Sequence, residues 1–273
     1  MHAEDAPHVK IITSRQNPLV SRFRAAAEAR SHSGTHVLLD GAHLVQDAHA
    51  SGLSFEVVAV ASSSLRADGE ESRLATTLAR EGVDVIETSD EVFDALSPVK
   101  TPSGIAAIVA RPASDPKDLC GRDLAFVLVV VDVQEPGNVG AILRVAEAGG
   151  VTGAFVCGAS AHPFSWKAVR GSMGSALRLP VITGMDTASA LACLGAGGVR
   201  TVAAVPRGGD EPDAIDWAGK IALVMGSEGA GLSDEVVARC DARVSVPMAA
   251  PVESLNVASA AAVLVYAARR ARR

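Results

Sequence analysis

The sequence predicts two α/β domains, the second built on a parallel sheet. Apolar runs of strand length alternate with helical patterns along the chain, "LAFVLVVVDV" is almost continuously apolar and β-branched, and a stretch rich in proline and charge separates two such regions. With 273 residues and 48% hydrophobic content, the chain is long enough to bury well-developed cores. Aromatic residues make up only 3%, so those cores rest on small aliphatic side chains.

In the first region a helix at "NPLVSRFRAAAEAR" is followed by a strand at "HVLLDG", a helix at "AHLVQDAHASG" and a strand at "FEVVAVAS". The alternation continues through helix "ESRLATTLAREG", strand "VDVIET", helix "DEVFDALS" and strand "GIAAIVA". This gives a small α/β domain over 1–111, then a linker over 112–123. In the domain over 124–273, "LAFVLVVVDV" reads as a strand covered on both faces, as in parallel sheets. Further strands fall at "GAFVCG", "RTVAAV", "KIALVMG" and "ARVSVPM", with helices beginning near Val139, Thr187 and Ser233. From about Leu255 a terminal helix is apolar or small at nearly every turn, the pattern of a helix buried all round.

Net charge is −6, so contact with a polyanion must come from local basic patches. Two are visible: Lys10, Arg15, Arg22, Arg24 and Arg30 near the start, and Arg269, Arg270, Arg272 and Arg273 at the end. Each is either an RNA contact or an ordinary charged helix surface, the second also complementing a helix dipole. Four cysteines lie far apart with no C-x-x-C pair, and His32 and His36 sit in a loop-like "HSGTH" without an acidic or Cys ligand, so no metal is expected. "MHAEDAPHVK" lacks the basic start and apolar core of a signal peptide, and no uncharged run is long enough to span a bilayer. A cytoplasmic protein with no membrane contact is expected.

In open parallel sheets ligands collect where strands end, and three strand-end loops carry chemistry here. In "VVVDVQEPGNVGAILRVAEAGG" Asn138 stands at an N-cap position, and Arg144 either pairs with Glu147 or holds a phosphate in bidentate fashion. "GSEGAGLS" imitates a phosphate-binding P-loop, yet Leu232 occupies the lysine position, which excludes a nucleoside-triphosphatase. The G-x-G-x-x-G of dinucleotide dehydrogenases is missing as well. What remains is a glycine-rich turn that admits close backbone approach and carries one carboxylate, Glu228. In "RVSVPMAAPVESLNVASAAAVLVY" the apolar Val246, Met248 and Leu255 bracket Glu253, Ser254 and Asn256. Ser254 there is either a helix cap or, with its neighbours, part of a polar rim that needs a ligand as partner.

"EPGNVGAILRVAEAGG", "VMGSEGAGLS" and "VPMAAPVESLNVASAAAVLVY", in that order, resemble the three motifs of the SpoU/TrmH class of SPOUT RNA ribose 2′-O-methyltransferases. "ITSRQNPLVSRFR" and "VLLDGAHLVQDA" resemble that family's N-terminal substrate-recognition domain. The resemblance implies S-adenosyl-L-methionine (AdoMet) as cofactor, a homodimer with the site near the subunit interface, and a C-terminal trefoil knot. It implies catalytic roles for Asn138, Arg144, Glu228, Ser254 and Asn256, and cofactor-loop positions at Gly226, Val246, Met248 and Leu255. Arg15, Arg22 and Arg24 are the expected RNA contacts of the first domain. Asp40 and Glu135 depart from the family pattern, which more often has Glu and Asp there. The expected substrate is ribosomal RNA of the 23S type; the alternatives are transfer RNA and a non-catalytic RNA-binding relative.

Overall fold

The structure is a computed structural model that describes residues 10–28, 34–121 and 123–272. Arg30, His32 and Arg273, named above, lie outside the described residues. The chain divides into two compact units, Met1–Arg111 and Pro112–Arg273.

In the first unit β1 (Lys10–Ile12) and α1 (Pro18–Glu28) precede β2 (His36–Asp40), α2 (Ala42–Ala50), β3 (Phe55–Ala61), α3 (Ser62–Arg66) and α4 (Glu70–Arg80). β4 (Val85–Thr88), α5 (Asp90–Leu96) and β5 (Ile105–Ala110) complete it. The sheet order is β1-β4-β3-β5-β2, parallel between β1, β4 and β3 and antiparallel between β3, β5 and β2. Asp40, one of the two departures from the family pattern, accepts a 2.6 Å hydrogen bond from the Ser97 hydroxyl and so ties the end of β2 to the end of α5.

The second unit begins with a correction. The stretch read as linker contains a helix, α6 (Pro116–Cys120), capped by Asp115 through Lys117 N–H and started by proline at its first position. Leu119 and Cys120 of α6 are buried in the core of this unit, and Cys120 Sγ touches Cys193 Sγ at 3.1 Å. Both remain free thiols, and burial pushes the Cys120 thiol up to about 12. After α6 come β6 (Phe126–Val131), α7 (Pro136–Gly149), β7 (Gly153–Cys157), α8 (Trp166–Ser172), α9 (Ser175–Arg178) and β8 (Val181–Thr183). Then follow α10 (Thr187–Ala196), β9 (Arg200–Ala204), β10 (Ile221–Met225), α11 (Asp234–Ala238), β11 (Ala242–Val244) and α12 (Val257–Ala271).

These strands form one parallel sheet in the order β11-β9-β10-β6-β7-β8. β6, β7 and β10 are buried at every residue, which their uninterrupted apolar sequences require. The chain runs from β6 outward through β7 to β8, then crosses to the other side for β9 and returns to place β10 beside β6. The strand order therefore reverses between β6 and β10, and the loops leaving those two strands diverge around a crevice.

α12 starts at Val257 with Asn256 as its cap, which decides against the reading of Ser254 as cap, and the expectation of a helix buried all round is corrected. It buries one face only, through Val257, Ala261, Leu264, Val265 and Ala268, while Val263 and Tyr266 are 43% and 49% exposed. Its apolar outer face is thus left uncovered within a single chain. The described terminal arginines are spent on the chain itself: Arg272 donates to Trp217 O and Gly219 O at 2.6 and 2.8 Å, Arg269 to Ala148 O, and Arg270 pairs with Asp213.

Candidate active site

Three segments meet at the crevice. The first leaves β6 through Asp132, which holds a left-handed backbone (φ 57) while its carboxylate accepts from Ala159 N–H at 2.6 Å. α7 then starts with Pro136 at its first position, and its cap is Glu135, whose Oε1 accepts from Gly137 N–H at 3.4 Å. The expectation of Asn138 as cap is corrected: it lies inside the first turn, which frees its amide for other partners. Glu135, the second departure from the family pattern, does the capping.

The second segment leaves β10 as a tight turn closed by reciprocal Ser227–Gly231 backbone bonds of 3.1 Å each, with Gly229 and Gly231 at φ 95 and 68. It holds Glu228 toward α7. The third is the stretch before α12, which ends at Asn256.

Their side chains form one directed network. Asn138 Nδ2 donates to Glu228 Oε1 at 2.7 Å, and Asn256 Nδ2 donates to Asn138 Oδ1 at 3.2 Å. Asn256 Oδ1 accepts from the N–H groups of Ala258 and Ser259 at 2.9 and 3.3 Å, and Glu228 Oε2 accepts from Gln134 N–H at 3.4 Å. The orientation of both amides follows from the ends of the chain. A carboxylate only accepts and helix N–H groups only donate, so each asparagine has one self-consistent setting. Burial raises the Glu228 carboxyl, but bonds from Asn138 and from backbone N–H groups outweigh it and hold the group below its ordinary value. One N–H of Asn256 is left over, and the Ser254 hydroxyl has no partner among the described residues.

Beside the network lies a cavity of about 330 Å³. Gly226, Val246, Met248 and Leu255 line it, together with Val205 and Pro206 from the loop after β9. Glu228, Ser254 and Asn256 form its polar side. An apolar recess of this size with a few convergent polar groups suits a small organic ligand. Gly226 shows how close the backbone comes: a Cβ there would lie 2.2 Å from Gly231 C and 2.4 Å from Leu232 N. Arg207 and Glu253 pair at 3.4 Å across the two loops that flank the cavity, which accounts for Glu253; both are largely exposed, so the pair contributes little to stability. Sequence reading missed Val205 and Pro206, because nothing in "AAVPRGG" marks a wall.

Arg144 is not part of this cluster. It lies six residues past Asn138, roughly 9 Å along α7 at 1.5 Å per residue, is exposed, and has no partner among the described residues. Of the two alternatives for Arg144, the pair with Glu147 is not formed; Arg178 holds Glu147 in bidentate fashion at 2.7 and 2.8 Å. In the first unit Arg15 and Arg24 donate to Glu91 O and Ala95 O at 3.2 and 2.7 Å, joining the start of the chain to α5. Arg22 pairs with Glu56, which also meets His36 Nε2 at 3.0 Å. Among the described residues no group of three or more His, Cys, Asp or Glu is placed to hold a metal ion, and no helix is long and apolar enough to cross a membrane.

Because Asn256 both caps α12 and joins the network, its removal has a stability cost that a short polar side chain should partly restore. Asn256→Ala is expected to lower the unfolding free energy by about 1–2 kcal/mol and Asn256→Ser by less, as read from urea midpoints.

Residues 125–266 match the SpoU rRNA methylase family, and residues 22–107 match the MRM3-like substrate binding domain. A tRNA/rRNA methyltransferase of Synechocystis, itself uncharacterised, is 34% identical over 95% of this chain and 93% of its own. The 23S rRNA (guanosine(2553)-2′-O)-methyltransferase of Bacillus subtilis is 30% identical over 94% of this chain and 98% of its own. The crystal structure of an AdoMet-bound rRNA methyltransferase from Sinorhizobium meliloti superposes with a TM-score of 0.84 at 28% identity, covering 96% of this chain and 98% of that one.

Proposed function

The chain belongs to the SpoU rRNA methylase family, and from that premise we propose that it transfers a methyl group from AdoMet to a ribose 2′-hydroxyl of ribosomal RNA, of the 23S type. The observation that carries the reading is the meeting of Glu228, Asn138 and Asn256, from three distant segments, beside one cavity at the reversal of strand order. The cavity fits the cofactor. Its apolar wall of Val246, Met248 and Leu255 suits a flat ring, and the backbone around Gly226 approaches closely enough for main-chain hydrogen bonds.

AdoMet, when bound, supplies a methyl group made electrophilic by its sulfonium. The protein must align the attacking oxygen with that methyl, keep water away and favour loss of the hydroxyl proton; alignment alone is worth up to ~7–11 kcal/mol. Ser254 and the unspent N–H of Asn256 orient the hydroxyl. Glu228 and Asn138 hold Asn256 in place through the directed network. Arg144 offers a planar fork of N–H donors and no acceptor, so its role is to clamp the phosphate beside the target ribose and stabilise developing alkoxide charge.

A homodimer belongs to this reading. Val263 and Tyr266, one turn apart on the outer face of α12, are large apolar side chains left exposed in the single chain. A trefoil knot belongs to it too: α12 packs on α7 and reaches β10 after a segment that lines the cavity. Acting on ribosomal RNA places the protein in the cytoplasm. Light scattering should give twice the chain mass for the wild type and the chain mass for Val263→Glu/Tyr266→Glu.

Activity is tested by incubating the purified protein with tritiated AdoMet and unmodified 23S rRNA or tRNA transcripts, then mapping 2′-O-methyl positions. Label in 23S rRNA supports the reading. Label in tRNA alone corrects the substrate, and AdoMet binding without transfer to either RNA would make the chain a non-catalytic relative.

A further inference from the structure

The two tryptophans of this aromatic-poor chain are placed differently. Trp217 is 1% exposed and donates its ring N–H to Pro212 O at 2.8 Å. Trp166 opens α8 only partly buried, and its ring N–H has no partner among the described residues. Lys167 Nζ lies 5.7 Å from the Trp166 ring centroid, and Arg170 follows one turn later. Both cations are exposed and neither forms an ion pair with any described residue. In a chain of net charge −6, a partly exposed indole with Lys167 beside its ring and Arg170 one turn on, neither in an ion pair with a described residue, is a local concentration of positive charge.

The position of this group is fixed relative to the candidate site. α8 packs on the first turns of α7 by backbone contact: a Cβ on Gly140 would lie 2.3 Å from Ala168 O and 2.9 Å from Ser172 N, and one on Gly171 would lie 3.3 Å from Gly137 O. Gly137 and Gly140 flank Asn138, whose amide belongs to the polar network. Furthermore, β7 pairs with β6 in parallel, so the loop leading to α8 leaves the same edge of the sheet as the loop leading to α7. The loop leading to α8 therefore leaves the same end of the sheet as the loops that carry Asn138 and Glu228.

We propose that α8 is a contact surface for single-stranded RNA flanking the target nucleotide, with Trp166 stacking on a base and Lys167 and Arg170 engaging backbone phosphates. The chemistry is that of single-strand binding, an aromatic platform beside cations that follow the backbone. The exposed side chains next to it in sequence, Lys167 and Arg170, are cations and suit phosphates better than an apolar protein face, although Met173 at the end of α8 is exposed as well. The inference rests on the proposed RNA methyltransferase activity and names a part of the substrate that the cavity does not touch.

The test uses the full-length protein and two probes, a twelve-nucleotide oligouridylate and the 23S rRNA transcript. Oligouridylate should quench the fluorescence of the wild type and not that of Trp166→Leu, since the remaining Trp217 is shielded. Trp166→Leu should raise KM for the transcript about ten-fold, with Trp166→Phe restoring most of it, while kcat and AdoMet affinity stay at wild-type values. In Lys167→Ala/Arg170→Ala, the slope of log affinity against log salt should become shallower by about 0.7 for each cation removed. Absence of quenching in the wild type, unchanged KM in both variants, or conversion of Trp166→Leu to a monomer would overturn the proposal. If the wild type binds AdoMet but methylates no RNA, the functional reading falls, and the quenching titration still decides whether α8 binds single strands.

Discussion

Arg144→Ala is expected to reduce methyl transfer to RNA by about 10²–10³-fold while leaving AdoMet affinity unchanged, the range seen when a single charge-stabilising donor is removed from an active site. The split follows from position. Arg144 lines no part of the cavity, so cofactor binding has no contact to lose. Its guanidinium is exposed and has no partner among the described residues, so no internal bond has to break before it meets a phosphate. Gly137, Gly140 and Arg144 recur at helical spacing, which puts the arginine on the stripe of α7 whose first two members face α8. Arg144→Lys should recover little, because an ammonium restores the charge but not the planar fork that grips two oxygens. Single-turnover transfer to 23S rRNA, measured beside calorimetric AdoMet titration, separates the two effects. Wild-type transfer by Arg144→Lys would remove the arginine from the mechanism.

How much of this was visible in the sequence depends on how far apart the interacting residues lie. The central strands of the second unit were legible because β6 and β10 are buried on both faces and need unbroken apolar runs. β1 and β8 have three residues each, too few to show a period, and α8 and α9 are short helices rich in small residues. α6 was hidden by its own start signals, since the Asp115–Pro116 pair that caps it also reads as loop composition.

At the site, motif order identified the residues, but their roles in capping were decided by distant partners. "ESLN" offers two acceptable caps for α12. Asn256 takes the position and also bonds Asn138, 118 residues away, a contact that no local rule contains. Asn138, in turn, is released from capping by Glu135 and reaches Glu228 across 90 residues. Conflicts between local preference and observed role therefore gather at the candidate site, as expected where sequence serves function as well as folding.

Gly226→Ala should weaken AdoMet binding by roughly 5- to 150-fold without unfolding the protein. The backbone of Gly226 is outside the left-handed region, so alanine is conformationally admissible and the cost is steric. That cost falls on main chain, because the new methyl would sit 2.2 Å from Gly231 C, 2.4 Å from Leu232 N and 2.5 Å from Gly231 O. A flexible side chain would turn aside, whereas here the turn carrying Glu228 has to move, and both the cavity wall and the Asn138–Glu228 bond move with it. Overpacking of this kind typically costs about 1–3 kcal/mol, which in a binding-competent conformation corresponds to the stated loss, at 1.4 kcal/mol per tenfold. It is also smaller than the ~5–15 kcal/mol that holds a typical domain together, so circular dichroism should still report a folded sheet. Gly195→Ala in α10 provides the control: a Cβ there meets nothing within 4 Å, its φ is outside the left-handed region, and it lines no part of the cavity. If calorimetry found the two alanine variants equally able to bind AdoMet, close backbone approach at Gly226 would not be what shapes the cofactor site.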